Sequence, residues 1–295
     1  MNVLLVYPEY PDTFWSFKHA LKFINKKALM PPLGLLTVAA LLPESFATKL
    51  IDLNVHKITD KDYLWADYVF ISAMITQKDS VIEVIQRCKQ LGKKIVAGGP
   101  LFTDLWEEFP DVDHFVLDEG EITFPMFLKD LEKGELKRIY TSDEKPDITK
   151  TPIPRWDLID MKNYNKMPIQ FSRGCPFDCE FCNVVALNGK IPRTKTPEQI
   201  INELNAIYDR GWDGTIFIVD DNFIGNRPKT IQVLKKIIEW QNSRKERITF
   251  MTEVSLNLAD DDEMLYLMRE AGFDSVFIGL ETPSEEALAE CGKFQ

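Results

Sequence analysis

Cys175-Pro176-Phe177-Asp178-Cys179-Glu180-Phe181-Cys182 is a short loop in which three cysteines follow CxxxCxxC spacing. Iron–sulfur clusters are normally held by four cysteine thiolates, but the chain's other two cysteines, Cys88 and Cys291, are distant in sequence. Three thiolates in one loop therefore predict a four-iron cluster with one iron open to another ligand. Zinc is the alternative, but structural zinc sites use four closed ligands from paired CxxC or Cys/His units. No histidine follows this loop, so the metal ligands predicted are Cys175, Cys179 and Cys182 of a cluster.

The composition is that of an acidic globular protein. Its 295 residues are 45% hydrophobic, which is enough apolar material for about two domains. The net charge of -11 offers no broad positive field for polyphosphate, so we expect no nucleic-acid partner. Five cysteines, three of them clustered, do not indicate a disulfide framework, and thiolate ligands need a reducing compartment. We therefore expect a cytoplasmic protein.

Neither the start of the chain nor its apolar runs predict a membrane segment. Met1–Tyr7 has no basic region followed by a cleavage site and is typical of a first strand. The longest apolar run, 29–43, contains Pro31 and Pro32 and is too short to span a bilayer.

Residues 1–140 predict a doubly wound parallel sheet, because short β-branched runs alternate with helical patterns. The alternating segments are 3–7, 33–42, 49–52, 68–73, 80–91, 94–97, 115–117 and 124–132. Ligands of such sheets bind at the carboxyl ends of the strands. There the sequence places small and polar residues, in the clusters Ser72-Ala73-Met74, Ala97-Gly98-Gly99-Pro100 and Asp118-Glu119-Gly120-Glu121. Ordinary turns are the alternative, and a dinucleotide site is disfavoured because Pro8-Glu9-Tyr10-Pro11 replaces GxGxxG after the first strand.

Residues 141–167 contain three prolines and predict an extended, semi-rigid linker. From 168 onward, four successive βα units are predicted, and polar residues end each strand. This pattern predicts part of a barrel whose active site lies at the carboxyl edge. A full eight-unit barrel needs about 250 residues, and 168–295 has room for only four units. We therefore expect a fragment of a longer protein, or one that a partner completes.

Several motifs resemble those of the cobalamin-binding radical S-adenosylmethionine (SAM) enzymes, with the nearest likeness to the hopanoid 2-methylase subgroup. The motifs are Phe171-Ser172-Arg173-Gly174-Cys175-Pro176, Pro192-Arg193-Thr194-Lys195-Thr196-Pro197-Glu198, Asp220-Asp221-Asn222-Phe223-Ile224-Gly225-Asn226, Met30-Pro31-Pro32-Leu33-Gly34, Gly98-Gly99-Pro100 and Asp118-Glu119-Gly120-Glu121. The resemblance covers essentially the whole chain. It implies an α/β protein with an N-terminal Rossmann-like cobalamin-binding domain (1–140), a linker (141–167) and a partial (β/α) radical SAM barrel (168–295), truncated after four βα units.

The resemblance also implies three cofactors: a 4Fe-4S cluster, SAM and cobalamin. SAM would chelate the open iron, with Phe181 near its adenine. The strand-end residues that would bind SAM or the substrate are Asp220, Asp221, Asn222, Glu253 and Glu281, although turn formation or solvated ion pairs explain the same positions. Backbone and shape contacts from Ser72, Gly98, Gly99 and Glu119 would hold cobalamin. A histidine ligand to cobalt is not expected, because His56 is out of register with the DxHxxG pattern.

The activity implied is methylation of an unactivated carbon. An electron from the reduced cluster would cleave SAM to a 5'-deoxyadenosyl radical, which abstracts hydrogen from the substrate, and methylcobalamin would then supply the methyl group. The substrate would be a small molecule or lipid, such as a hopanoid or another isoprenoid, and a flavodoxin or ferredoxin would donate electrons. Two alternatives stay open: radical SAM cyclisation, rearrangement or methylthiotransfer, and a non-catalytic cofactor-binding fragment. Membrane association also stays open.

Overall fold

The computed structural model describes residues 1–293, which form two compact units. The first comprises Met1–Pro146 and Thr151–Asn165, and the second comprises Asp147–Lys150 and the chain from Lys166. Much of the predicted linker is thus part of the first unit, where Trp156 and Tyr164 are buried. The segment is not the extended connection that its prolines predict, because short 3-10 turns interrupt it. The domain boundaries at 140 and 168 stay a prediction.

The first unit is built on a six-stranded parallel sheet in the order β2-β1-β3-β4-β5-β6. Its strands are β1 (Asn2–Tyr7), β2 (Ala47–Asp52), β3 (Tyr68–Ser72), β4 (Lys94–Gly98), β5 (His114–Val116) and β6 (Ile139–Tyr140). The first five strands coincide with the predicted runs, whereas β6, only two residues long, was not predicted. This strand order is that of a flavodoxin-like doubly wound sheet, so the predicted fold class is confirmed.

Helices cover both faces of this sheet and account for the continuous apolar run in β1. The helices are α1 (Lys18–Leu21), α2 (Leu33–Leu41), α3 (Asp60–Trp65), α4 (Lys78–Gln90), α5 (Pro100–Leu105) and α6 (Gly120–Lys133). Leu4 and Val6 pack into one core with side chains of α4 and α5, whereas Val3 and Leu5 pack into a second core with side chains of α2 and α6. A strand buried on both faces is apolar at every position. In the described part of the chain, no helix is both long and apolar enough to cross a membrane.

The second unit contains a four-stranded parallel sheet and a short antiparallel hairpin. Its strands are β7 (Lys166–Ile169), β8 (Ser172–Arg173), β9 (Arg193–Thr194), β10 (Thr215–Ile218), β11 (Phe250–Glu253) and β12 (Phe273–Phe277). Its helices are α7 (Val184–Asn188), α8 (Pro197–Tyr208), α9 (Arg227–Asn242), α10 (Asp262–Ala271) and α11 (Glu285–Glu290). The sheet order β12-β11-β10-β7 places each βα unit beside the preceding one, as in a (β/α) barrel. The predicted four-unit partial barrel is confirmed, although its last strand ends at Phe277 instead of position 280.

The start of α8 follows the sequence signal for a helix N-terminus. The Gln199 backbone N–H donates to the Thr196 hydroxyl at 3.2 Å, and the Thr196 N–H donates to the Gln199 side-chain oxygen at 2.9 Å. These two bonds form a capping box, and Pro197 occupies the first helical position. The helix start is therefore fixed directly after the β8–β9 hairpin.

Gly272, which ends α10, provides a test of how tightly this unit is packed. Its φ is +100°, and a Cβ there would lie 2.7 Å from Gln241 Nε2, which donates to the Ile248 and Ala271 carbonyls. We expect Gly272→Ala to lower the free energy of unfolding by about 2 kcal/mol, from left-handed strain and the displaced amide. Gly92→Ala is the matched control: its φ is +63° but no atom lies within 4 Å of the added Cβ, so it should cost only about 1 kcal/mol. Equal losses in urea unfolding would contradict the packing argument.

Candidate functional site

The three-cysteine loop lies between the two strands of the β8–β9 hairpin in the second unit. The Cys175 N–H donates to the Gly189 carbonyl at 3.3 Å, which ties the start of the loop to the segment that follows α7. Gly174 has a φ of +100°, and a Cβ there would meet the Gly189 carbonyl oxygen at 2.7 Å. Only glycine fits this turn without strain, so the chain enters the loop in one conformation.

The three thiols differ in burial. Cys175 and Cys179 are half-buried, and Cys182 is exposed. Burial raises the pKa of both Cys175 and Cys179, and the charges of the neighbouring loop cysteines raise them further. The Lys293 ammonium acts in the opposite direction and lowers the pKa of Cys179. A nearby cation of this kind favours the thiolate, which is the form that ligates iron.

The donor set suits a cluster better than a single ion. Among residues 1–293, no three His, Cys, Asp or Glu side chains converge closely enough to hold one metal ion. A multi-iron cluster binds each cysteine at a different iron, so its thiolates do not have to meet at one point. The loop carries three cysteines that influence one another electrostatically, and its turn is closed by a 2.9 Å bond from the Cys182 N–H to the Cys179 carbonyl. The residues present therefore fit a cluster with one open iron.

Asp220, which follows β10, holds the chain immediately before the loop. Its carboxylate accepts the Phe171 N–H at 2.7 Å, the Ser172 N–H at 2.8 Å and the Ser172 hydroxyl at 2.7 Å. Burial raises its pKa to about 7, and these hydrogen bonds oppose that rise. Because the side chain is only 1% exposed, Asp220 acts as a positioning residue. The predicted contact of Asp220 with SAM or substrate stays a prediction.

Asp221 and Asn222 also form hydrogen bonds to the start of the cysteine loop. The Asp221 carboxylate accepts the Gly174 N–H and an Asn188 amide hydrogen. The Asn222 side chain is hydrogen-bonded to the Cys175 thiol and to Ser255 on the next βα connection. The three residues that the sequence places together at one strand end thus contact three successive parts of the loop's start. Binding of SAM or substrate by Asp221 and Asn222 stays a prediction.

The buried pair Lys195 and Glu203 lies beneath the hairpin and was not predicted. Both side chains are almost fully buried and form an ion pair. The Lys195 N–H also donates to the Phe171 carbonyl at 2.8 Å. Burial raises the pKa of Glu203, and the Lys195 charge opposes that rise. Nothing in the local sequence indicates this pairing, because the two residues meet only when α8 folds back beneath β9.

The remaining predicted site residues of this unit fall into two groups. Glu253 ends β11, half-buried, and its pKa is raised by burial and then by the charge of Asp221. Phe181 and Glu281 are exposed, and Lys293 links them: its ammonium lies 5.9 Å from the Phe181 ring centroid and 2.8 Å from Glu281 Oε1. Lys293 is itself only 9% exposed and was not predicted. A buried lysine thus places a positive charge beside Cys179.

In the first unit, three of the predicted cobalamin contacts lie at the carboxyl edge of the sheet. Register pairs Ser72 with Gly98, and Gly98 with Val116. A Cβ at Gly98 would lie 2.5 Å from the Val116 carbonyl oxygen, and one at Gly99, whose φ is +87°, would lie 2.5 Å from Ser72 Oγ. Close packing of the chain itself therefore requires both glycines. Cobalamin contact by these residues stays a prediction.

Glu119 begins the turn into α6 and is mostly buried, with its carboxylate 3.9 Å from the Lys145 ammonium. The preceding Asp118, not predicted as a site residue, has a φ of +58°. Its carboxylate accepts bonds from the Thr141 hydroxyl at 2.6 Å and from the Ser142 N–H at 3.2 Å. The Asp118 carboxylate therefore holds this strand-end turn against the segment that follows β6. Cobalamin contact by Glu119 stays a prediction.

Asp52 and His56 bear on the predicted absence of a histidine ligand. Asp52 is buried and accepts bonds from Asn54 and from the Tyr164 hydroxyl. The His56 side chain is exposed on the following turn, and the His56 backbone N–H donates to the Asp52 carbonyl at 2.8 Å. The absence of a histidine ligand to cobalt stays a prediction.

Comparison with protein-family models identifies both units. Residues 169–294 match the radical SAM superfamily, and residues 23–128 match the B12 binding domain. A radical SAM domain implies a 4Fe-4S cluster and SAM, and a B12 binding domain implies cobalamin, so the predicted cofactors are confirmed at this level.

The chain is similar to longer curated proteins. An uncharacterized methyltransferase of Synechocystis sp. is 48% identical over the whole chain, and the hopanoid C-2 methylase of Rhodopseudomonas palustris is 36% identical over 97% of it. The chain spans 55% of the length of each.

Solved structures agree on the fold. The cobalamin-dependent SAM radical enzyme OxsB, with aqua-cobalamin and SAM bound, matches the whole chain and 46% of its own length with a TM-score of 0.77 at 20% identity. The radical SAM methyltransferase TsrM of Kitasatospora setae, with cobalamin and a [4Fe-4S] cluster bound, matches the whole chain and 64% of its own length with a TM-score of 0.78 at 15% identity. With a B12 binding domain followed by a radical SAM domain, the chain belongs to the cobalamin-binding radical SAM family.

Proposed function

We propose that this chain is the cofactor-binding part of a radical SAM C-methyltransferase that methylates an unactivated carbon. The observation that carries the proposal is the cysteine loop, held at the carboxyl edge of the second unit by Asp220, Asp221 and Asn222. A cobalamin-binding sheet in the same chain supplies the means of carrying a methyl group. The hopanoid C-2 methylase among the relatives favours a hopanoid or another isoprenoid lipid as substrate.

The protein's own task is to bind, orient and shield these cofactors. When bound, the cluster supplies the electron that cleaves SAM, SAM supplies the 5'-deoxyadenosyl radical, and methylcobalamin supplies the methyl group. Cys175, Cys179 and Cys182 would ligate the cluster. The positive charge of Lys293 would offset the negative charge of the Cys179 thiolate. Phe181, which is exposed within the loop, offers a ring face for adenine. Glu253, half-buried near Asp221, offers a carboxylate for a ribose hydroxyl or an ammonium group.

The carboxyl edge of the first unit would hold cobalamin. Ser72, Gly98 and Gly99 lie side by side there, and Glu119 begins the next helix. Because the chain's own atoms fill the space beside both glycine Cα atoms, cobalamin would contact backbone groups of this edge and not a gap left by a missing side chain.

A reconstitution experiment tests the proposal. After anaerobic reconstitution with iron, sulfide and cobalamin, we expect about four irons and about one cobalamin per chain. With SAM and a reductant, we expect 5'-deoxyadenosine, and in the full-length protein a product heavier by one CH2 group. Iron without cobalamin would contradict the methyltransferase assignment.

Cyclisation is the second candidate, because an anaerobic magnesium-protoporphyrin IX monomethyl ester cyclase of Synechocystis sp. is 24% identical over 99% of the chain. The mass of the product separates the two reactions, since cyclisation adds no carbon. Either reaction would need an external electron donor, such as a flavodoxin or a ferredoxin, and a reducing compartment such as the cytoplasm.

A further inference from the structure

The segment from Thr13 to Lys27, which we call the aromatic–basic segment, has an unusual composition for this chain. It contains four lysines and no acidic residue, in a protein of net charge -11. It also exposes large apolar side chains: Phe14 is 79% exposed, Phe23 is 90% exposed, and Ile24 is 51% exposed. Scattered exposed apolar residues are normal, but here they alternate with lysines along one short stretch.

The segment is fixed to the first unit by residues within it and directly after it. Its exposed side chains therefore belong to an ordered stretch of the chain. Leu21 and Ala28 are buried. The Lys27 and Ala28 N–H groups both donate to the Asn163 carbonyl, at 2.8 and 3.2 Å. The Phe14 and Phe17 rings pack against each other with centroids 6.0 Å apart. The segment is thus anchored at Leu21 and at its C-terminal end, while the Phe14 and Phe23 side chains are exposed.

Acidic groups face the start of the segment. Lys18 lies 3.5 Å from Glu9 and 3.9 Å from Asp12, which also faces His19 at 3.5 Å. These acidic groups lie at the start of the segment. In the later part of the segment, the Lys26 ammonium donates to the carbonyl of Lys162, whose own side chain is exposed. Lys22 and Lys27 are exposed in the same part of the segment.

We propose that the aromatic–basic segment binds the surface of an anionic lipid bilayer. Aromatic side chains insert at the boundary between headgroups and acyl chains, while lysines are attracted to anionic headgroups. A bilayer suits both kinds of side chain, because its acyl boundary removes the Phe23 ring from water while its headgroups attract the lysines. The inference does not rest on the proposed methyl transfer, because vesicle binding is measured without turnover.

Vesicle co-sedimentation tests the inference. Vesicles of phosphatidylcholine with phosphatidylglycerol should retain the protein at low salt and release it as salt is added, since exposed charges are screened, whereas pure phosphatidylcholine should retain it poorly. We expect Lys22→Glu/Lys27→Glu to weaken binding at least about tenfold. Phe14→Ser/Phe23→Ser should weaken it by a similar factor, because two apolar rings no longer leave water.

Leu64→Ser/Tyr266→Ser is the matched control. It removes two exposed apolar side chains, 58% and 62% exposed, that lie outside the segment, so it should leave vesicle binding unchanged. Unchanged thermal unfolding would show that each variant is folded. The inference is overturned if the parent protein binds no vesicles, or if the segment variants bind as tightly as the parent. A dimer that dissociates in Phe14→Ser/Phe23→Ser would assign the segment to a second copy of the chain and would also overturn it.

Discussion

Cys175→Ala should leave the chain without a stable cluster after anaerobic reconstitution, with iron falling from about four per chain to near none. The loop contains three cysteines, and in the proposed site the open iron would take its further ligand from outside the protein. Loss of one thiolate therefore leaves two protein ligands, which is too few for a four-iron cluster. Formation of 5'-deoxyadenosine should fall to background in the same sample. Iron and sulfide analysis, with the absorbance of the cluster, measures the first effect, and chromatography of the nucleoside measures the second.

Two other cysteines serve as controls for this prediction. Cys88 is buried on α4, and burial raises its pKa to about 12, so it stays a thiol and packs as a small apolar side chain. Cys291 lies close to the loop, because its carbonyl accepts the Glu180 N–H at 2.9 Å, but its own thiol donates to the Leu288 carbonyl. Cys88→Ala and Cys291→Ser should both retain iron. If Cys291→Ser lost its iron while Cys179→Ala kept it, the ligand set inferred from the loop would be wrong.

The cysteine loop could be predicted because its chemistry is local in sequence. Three thiols at fixed spacing identify a cluster without knowledge of the fold. The strands were predicted for a similar reason, since β1 is apolar at every buried position and is covered on both faces. The sequence does not predict the short elements α3 and β6. They have six and two residues, which is too few to show a periodic pattern of hydrophobic residues.

The support of the loop could not be predicted, because it depends on pairing between distant residues. Asp220 was found as a strand-end carboxylate, but its partner Ser172 is 48 residues away. The two meet only because β10 lies beside β7 in parallel register. The position of Lys293 could not be predicted either, because it lies after α11, far from the cysteine loop in sequence. The sequence therefore predicts that polar residues lie at this edge. Which of them support the loop depends on the packing of the folded chain.

Asp220→Ala should destabilise the second unit and impair its cluster. The substitution leaves the Phe171 and Ser172 N–H groups buried without their acceptor, which costs about 2 to 4 kcal/mol of unfolding free energy. Because these groups immediately precede Gly174 and Cys175, the loop should also lose its fixed start. We expect a lower midpoint in urea unfolding and, in the fraction that remains folded, fewer irons per chain than the parent holds.

A graded series separates the role of Asp220 in positioning from its role in stability. Ser172→Ala removes one of the three hydrogen bonds to Asp220 and leaves both backbone bonds in place, so it should cost about 1 kcal/mol and retain the cluster. Gly272→Ala lowers the stability of the same unit at a position where its added Cβ meets Gln241 and Ile248 instead of the loop, so it should retain iron while folded. If iron retention followed stability alone across the three variants, Asp220 would be a structural residue only. If Asp220→Ala lost iron while Gly272→Ala kept it at comparable stability, the carboxylate would be required to position Cys175 for the cluster.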